Sequence, residues 1–457
     1  MFEPGFILAG LAVLSPLVGA LLAFRSEQPR TVATFATAFA LLSCVGAMAL
    51  SRPATGLLAI DGLAGPPAVM ITGLLLAILS AAPRRDVDAS TCSRMLVALA
   101  GVLMVYAAGS PIILFAGWAL SAFPFMTRDR SEDRGERSRW FAKPMFALGG
   151  SIVLLGIALA FLSMRDPDES SSFVAFTLVL LAVLIRSGIF PFHSWVIKSF
   201  ESNSFLPYAW LLSARTGAFL LAKLTLPEFV EPARAVLPIL SDLALFSSVL
   251  MAFVGLGEKS PRRVLGLIVV SQSGFIVSGL QTANVEGVTG ALLQWLVVSI
   301  STVGLAILLR CLEERCGILL QQRFAGLGAK VPRMAVLFLL FALCLVGFPG
   351  SLGFCAEDLL FHGALEMHPF LGVALPIATA LIGIRLLGLF STIFLGRHGT
   401  LVPSVTDALP RERWALTALV AILLITGFIP QKMVDSRSAP AQAIAAFLKD
   451  GELAANR

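Results

Sequence analysis

Two long apolar stretches of this chain are broken at their middles in the same manner, half a protein apart. One runs through 173–190 and then reads Pro191-Phe192-His193-Ser194-Trp195. The other runs through 334–346 and then reads Gly347-Phe348-Pro349-Gly350-Ser351-Leu352-Gly353. A proline deletes a backbone donor and leaves a carbonyl of the preceding turn without its helical partner. Lipid offers such groups nothing, so a break at membrane depth has to line protein or a wet cavity. Each break stands beside ionisable residues, Arg186 at the first and Glu357 and Asp358 at the second. Paired interrupted helices in corresponding halves mark where a membrane protein handles its ions or solutes. Pro191 and Pro349 are therefore the expected helix-break positions.

The membrane setting follows from composition. Of 457 residues, 57% are hydrophobic and only 14% charged. The expected fold class is an all-α integral membrane protein. A span needs roughly 20 apolar residues, fewer inside a bundle, and about 14 candidates satisfy this. They lie near 6–24, 32–50, 68–82, 95–108, 111–126, 145–162, 173–200, 208–224, 235–256, 264–280, 288–309, 334–365, 371–394 and 414–429. The fourth and fifth are short and joined by little more than Gly109-Ser110. The first lacks a basic n-region and a cleavage-like end, which predicts a retained span rather than a signal peptide. The tail after Gln431 contains the apolar run 443–448 and reads either as a short interfacial helix or as a loose terminus.

Loop charge orders these spans. Arg84, Arg85 and Arg94 fall in the third loop, and Arg128, Arg130, Arg134, Arg137 and Arg139 in the fifth. Lys259, Arg262 and Arg263 fall in the ninth loop, and Arg310, Arg315, Arg323, Lys330 and Arg333 in the eleventh. Arg397, Arg411 and Arg413 fall in the thirteenth, whereas Arg52, Arg165 and Arg234 are the main cations of the even loops. All the rich loops are odd-numbered, so they share one side. The positive-inside rule makes that side cytoplasmic, with both termini outward, in a cell (inner) membrane. The net charge of +6 is thus a topology signal, and no nucleic-acid partner is expected. The six cysteines make no CxxC pair and read as small apolar fillers, so no metal site is expected.

Ionisable groups within apolar runs are costly and mark ion paths. Arg186 closes the uncharged run 178–185, Arg215 lies within 211–221, Asp242 within 240–246 and Arg385 within 381–387. Glu357 and Asp358 follow the second break, with His362 near by. Snorkelling to an interface is the competing reading, and for Lys223, close to a span end, the better one. Gln272, Ser273, Gln294 and Thr302 are polar within apolar helices and can either bridge helices or hydrate a channel.

At these residues the chain resembles the proton-conducting membrane subunits shared by respiratory complex I and Mrp-type cation/proton antiporters. The stretch 185–195, Ile-Arg-Ser-Gly-Ile-Phe-Pro-Phe-His-Ser-Trp, is similar to the family's lysine and Pro-x-His-x-Trp break. The stretch 262–275 is similar to its basic helix start with Ser-x-x-x-Gln-x-Gly, and 347–360 to its Gly-Leu-Pro-x-x-x-Gly-Phe-x-x-Lys/Glu element. Asp61-Gly62-Leu63 matches the Asp-Gly-Leu before the third helix. The resemblance implies two inverted five-helix repeats with a broken helix fourth in each. It divides the chain into a three-helix segment (1–94), a first repeat (95–224), a second repeat (235–394) and a C-terminal helix with an outward tail (395–457). The ion-translocation residues it suggests, together with the charges above, are Arg186, Arg215, Glu357, Asp358, His193, Asp242 and Arg385.

The departures matter. The family's first-repeat lysine falls on Arg186 and its next basic residue on Arg215, while its second-repeat Lys or Glu falls on Glu357. Its fifth-helix glutamate follows a tryptophan, but Trp118 is followed by Ala119. Its central basic positions fall on or near Gln294, Val298 and Thr302. Lysine can release a proton when buried, whereas arginine effectively cannot. The first half is thus expected to hold fixed charge, leaving Glu357 as the best titratable group.

The resemblance implies a subunit of a multi-subunit complex that moves protons or sodium ions, with lipid and other membrane subunits as partners. The complex could be an NADH:quinone-oxidoreductase-like enzyme, an Mrp-type antiporter, or an inorganic-carbon uptake system that pairs such a subunit with a zinc protein. No cofactor motif is present, so any redox chemistry belongs to another polypeptide. A non-conducting scaffold and an autonomous solute transporter are the alternatives from other classes.

Overall fold

The computed structural model describes residues 4–50, 57–126, 143–162, 169–202, 204–225, 230–317, 325–367, 369–396 and 405–455. These are helical nearly throughout. In chain order they form α1 (Pro4–Arg25), α2 (Pro29–Ala49), α3 (Gly65–Ala81), α4 (Ala89–Ala107), α5 (Pro111–Met126) and α6 (Pro144–Leu162). Next come α7 (Glu169–Ser187), α8 (Ser194–Glu201), α9 (Phe205–Ser213), α10 (Thr216–Leu220), α11 (Val230–Gly257) and α12 (Pro261–Gly279). The last are α13 (Val285–Cys316), α14 (Pro332–Leu345), α15 (Leu352–Met367), α16 (Pro369–Phe394), α17 (Pro410–Phe428) and α18 (Pro430–Ala455). Proline opens α2, α12, α14 and α17, where its missing N–H is no loss.

Among the described residues, eight helices are long and apolar enough to cross a membrane. A ninth arises if α17 and the first part of α18, bent by 84°, form one span. Shorter apolar helices, α3, α5, α14 and most of α7, lie among them. The centre is α13, buried along its whole apolar stretch and packed against α3, α9, α12, α14, α15, α17 and α18. At about 1.5 Å per residue its 32 residues reach roughly 48 Å, well past the hydrocarbon core. Small residues bring its neighbour in: a Cβ on Gly290 would lie 2.4 Å from the Leu360 nitrogen, and one on Gly363 2.2 Å from that of Gly287. The outer helices show large apolar side chains instead, among them Leu21, Phe35, Phe370 and Phe428.

Ion pairs gather the odd-numbered loops at one end. Arg310, near the end of α13, holds Asp86 of the third loop through two bonds of 2.6 and 2.9 Å. Its neighbour Glu313 receives Arg262 at the start of α12 through a two-bond fork of 2.7 and 2.5 Å. Arg263 reaches Glu201 at the end of α8, and Arg315 reaches Glu412 at the start of α17. Opposite them, an isolated β-bridge joins Leu58 to Ala108, tying the second loop to the fourth. Arg52, Arg128, Arg130, Arg134, Arg137, Arg139, Arg165, Arg323 and Arg397 lie outside the described residues.

The tail is helical rather than loose: it is the 26-residue α18, longer than the short helix expected, and its Arg437 is buried and donates to the carbonyls of Gly62 and Leu63.

Candidate functional site

The helical path stops at Ser187 and resumes at Ser194, and it stops at Leu345 and resumes at Leu352. Pro191 and Pro349 lie within the two gaps. Each gap carries near its start a glycine in the left-handed region, Gly188 with φ +69° and Gly347 with φ +68°. Only a residue without Cβ takes this conformation freely, and the space it leaves is used. A Cβ on Gly188 would sit 2.4 Å from a Val196 methyl, and one on Gly347 2.4 Å from a carboxylate oxygen of Glu357. The carbonyl of Ile185 at the first break is bonded by the indole N–H of Trp195 at 2.8 Å. That bond gives the tryptophan of the 185–195 motif a structural purpose.

A third break was not legible in the sequence. The eighth apolar run is split into α9 and α10, with Arg215 between them in the left-handed region at φ +48°. Such a conformation costs a non-glycine residue about 1–3 kcal/mol and persists where surroundings enforce it. They do so here. The Ser213 carbonyl accepts from Trp295 Nε1 at 3.2 Å and from Ser299 Oγ at 2.9 Å, both on α13. The Ala214 carbonyl accepts from the Tyr106 hydroxyl of α4.

These breaks bring Arg186 and Arg215 to one small cavity, about 10 Å³, which Ser187, Trp195, Thr216 and Ser273 also line. Both guanidiniums are almost wholly buried. Arg186 donates from Nε to Thr216 Oγ1 at 3.2 Å and from Nη2 to Ser121 Oγ, and lies 4.9 Å above the Trp118 ring centre. Arg215 donates from Nη1 to Ser273 Oγ and to the Val269 carbonyl. Nη1 of Arg186 and Nε of Arg215 have no partner. Among the described residues no carboxylate pairs with either.

Beyond this cavity a polar row crosses the bundle. Gln272 stands next to Ser273 on α12 and accepts from Gln294 Nε2 of α13 at 2.9 Å. Gln294 also stands near Glu357 on α15, without a direct hydrogen bond between them. The Glu357 carboxylate accepts in turn from Thr379 Oγ1 of α16 at 3.3 Å. It makes no ion pair among the described residues. Thr302 and Ser301, one helical turn or more along α13, hold buried hydroxyls with no partner, and Val298 is buried between.

The other expected residues stand apart. His193 is part-buried, stacks on Phe190 and leaves Nδ1 without a partner. Arg385 reaches the Glu258 carbonyl at 2.6 Å, at the end of α11. Asp358 is exposed and pairs with exposed His362 at 3.3 Å. Asp242 is exposed on α11, on the flank that carries Ile239 and Phe246. Lys223 donates to the Tyr106 carbonyl at 3.2 Å, in a π-helical turn after α10. Ser121, Thr216 and Thr379 escaped the sequence reading because isolated hydroxyls in apolar helices carry no local signal, although Thr216 adjoins Arg215.

Residues 142–383, just over half of the chain, match the family described as NADH:quinone oxidoreductase/Mrp antiporter, transmembrane. The NAD(P)H-quinone oxidoreductase chain 4 of Gloeobacter violaceus is 25% identical over 406 residues, 82% of this chain and 76% of that one. The NADH-quinone oxidoreductase subunit N of Rhodococcus opacus is 25% identical over 303 residues, 64% of this chain and 54% of that one. In fold, a chain of respiratory complex I from Thermus thermophilus superposes with a TM-score of 0.84 at 23% identity, covering 96% of this chain and 99% of that one. A chain of the Mrp complex from Dietzia sp. does so at 0.79 and 17%, covering 98% and 99%. By its matched core, and at the low identity of an outlying branch, the chain belongs to the NADH:quinone oxidoreductase/Mrp antiporter transmembrane family.

Proposed function

We propose that this chain is the ion-translocating membrane subunit of a multi-subunit complex and moves protons or sodium ions along a polar axis at mid-membrane. The observation that carries this is the row from the Arg186–Arg215 cavity through Ser273, Gln272 and Gln294 to Glu357 and Thr379. It runs from one helix break to the other through an otherwise apolar bundle. Glu357 is the exchanging group. Arg186 and Arg215 are fixed charges that order water and set the field, since a guanidinium keeps its proton. His193, Arg385, Asp242 and Asp358 lie off this row.

Counting each interrupted helix as one span gives about 14 spans, with 95–224 and 235–394 as inverted repeats and both termini outward. The partners are other membrane subunits, in keeping with relatives named as quinone oxidoreductase subunits. Redox or hydration chemistry would reside in those partners.

The test is Glu357→Gln in the intact complex, reconstituted in liposomes with a pH-sensitive dye. Ion flux is expected to vanish while the complex assembles at parental yield. Parental flux would remove Glu357 from the path. A second reading, a non-conducting scaffold, is favoured by the neutral partners of Arg186, where the family carries a carboxylate. It requires that the parent itself pass no ions in that assay.

A further inference from the structure

We propose that the cavity between Arg186 and Arg215 is a binding site for one monovalent halide anion, chloride under ordinary conditions. Such a site would hold its anion whether or not the chain conducts ions.

Two cations buried side by side in an apolar bundle need a counter-charge. Both side chains are more than nine-tenths buried, and neither meets a carboxylate among the described residues. Their named partners are all neutral: Ser121, Thr216, Ser273 and the Val269 carbonyl. One guanidinium nitrogen on each remains unpartnered, and both residues line the same cavity. Thr216 Oγ1 accepts from Arg186, which leaves its proton free to point at an anion. The Ser273 hydroxyl cannot do this, because it donates to the Val269 carbonyl at 2.7 Å.

Size selects the ligand. A cavity of about 10 Å³ admits one water-sized body. A single-atom anion is of that order of size. Apart from Ser187, the rest of the lining is apolar or aromatic, from Trp195, Leu211 and Leu212, which suits a weakly hydrated anion better than a strongly hydrated one.

The experiment uses the full chain in its purified complex. Thermal unfolding is followed in sodium chloride, bromide and gluconate at matched ionic strength, so that screening is constant. A saturable rise in unfolding temperature with chloride or bromide, and none with gluconate, is expected. Crystals grown in bromide should show an anomalous peak between the two guanidiniums. Thr216→Val should raise the halide concentration needed about tenfold, the loss of one hydrogen bond to a charged group. Ser121→Asp supplies a carboxylate to Arg186 from within and should abolish the halide effect while the protein stays folded. Equal stability in chloride and gluconate, or an undiminished halide effect in Ser121→Asp, overturns the proposal. Binding of bicarbonate in preference to halide would also overturn it.

Discussion

The two proline breaks use one backbone device beside two different ionisable groups. In the first, the left-handed Gly188 makes room for Val196, and the nearby Arg186 is held by hydroxyls and the Trp118 face. In the second, the left-handed Gly347 makes room for the Glu357 carboxyl group itself, which is held by Thr379 with Gln294 near by. Neither group meets an opposite charge among the described residues. The first half therefore keeps a fixed cation and the second a titratable carboxyl group, each held by neutral partners. A matching backbone does not imply a matching role. The second break cradles a group that can gain and lose a proton, and the first cradles one that cannot.

The largest expected effect that sharpens this contrast is at Arg186. Arg186→Ala should abolish flux in proteoliposomes, whereas Arg186→Lys should retain or raise proton conduction, because lysine can join a relay. If Arg186→Ala conducts like the parent, the first-half charge is not used and the comparison fails. The glycines come next. Gly188→Ala and Gly347→Ala should each destabilise by at least about 1–2 kcal/mol, from the left-handed backbone alone. Both should lower the unfolding temperature, but Gly347→Ala alone should also depress flux, since the new methyl displaces the carboxylate. Equal flux loss in the two would show that the breaks matter only as structure.

Smaller effects follow along the row between the breaks. Gln294→Leu removes the amide between Gln272 and Glu357 and should slow flux about tenfold without unfolding the complex, a loss of one buried polar link. Trp295→Phe removes one of two donors to the Ser213 carbonyl, so about 1 kcal/mol of stability is expected to go. A larger loss would mean that Ser299 does not hold the third break on its own.

These contacts also show where a one-dimensional reading stops. Pro191 and Pro349 announce their breaks because proline and glycine act on their own backbone. At the Arg215 break the turning residue is neither proline nor glycine, with Gly217 already helical, and it exists because Tyr106, Trp295 and Ser299 arrive from distant helices. The charge alternation of the loops was legible since insertion responds to local charge. The partners of that charge, Asp86 for Arg310 or Glu412 for Arg315, were not, because they lie 224 and 97 residues away. The burial of Arg186 and Arg215 was foreseen from their apolar context. Their meeting at one cavity was not, because it depends on the kink of the Arg215 backbone.

The anchoring of Arg437 has a consequence for how such a chain matures. Its guanidinium closes over the Gly62 carbonyl, a contact that spans 375 residues of sequence. The loop before the third helix must therefore wait, with that carbonyl unanswered, until the chain as far as Arg437 has been made. A chain without α18 would leave that loop unclasped, an open seam that membrane quality control could read.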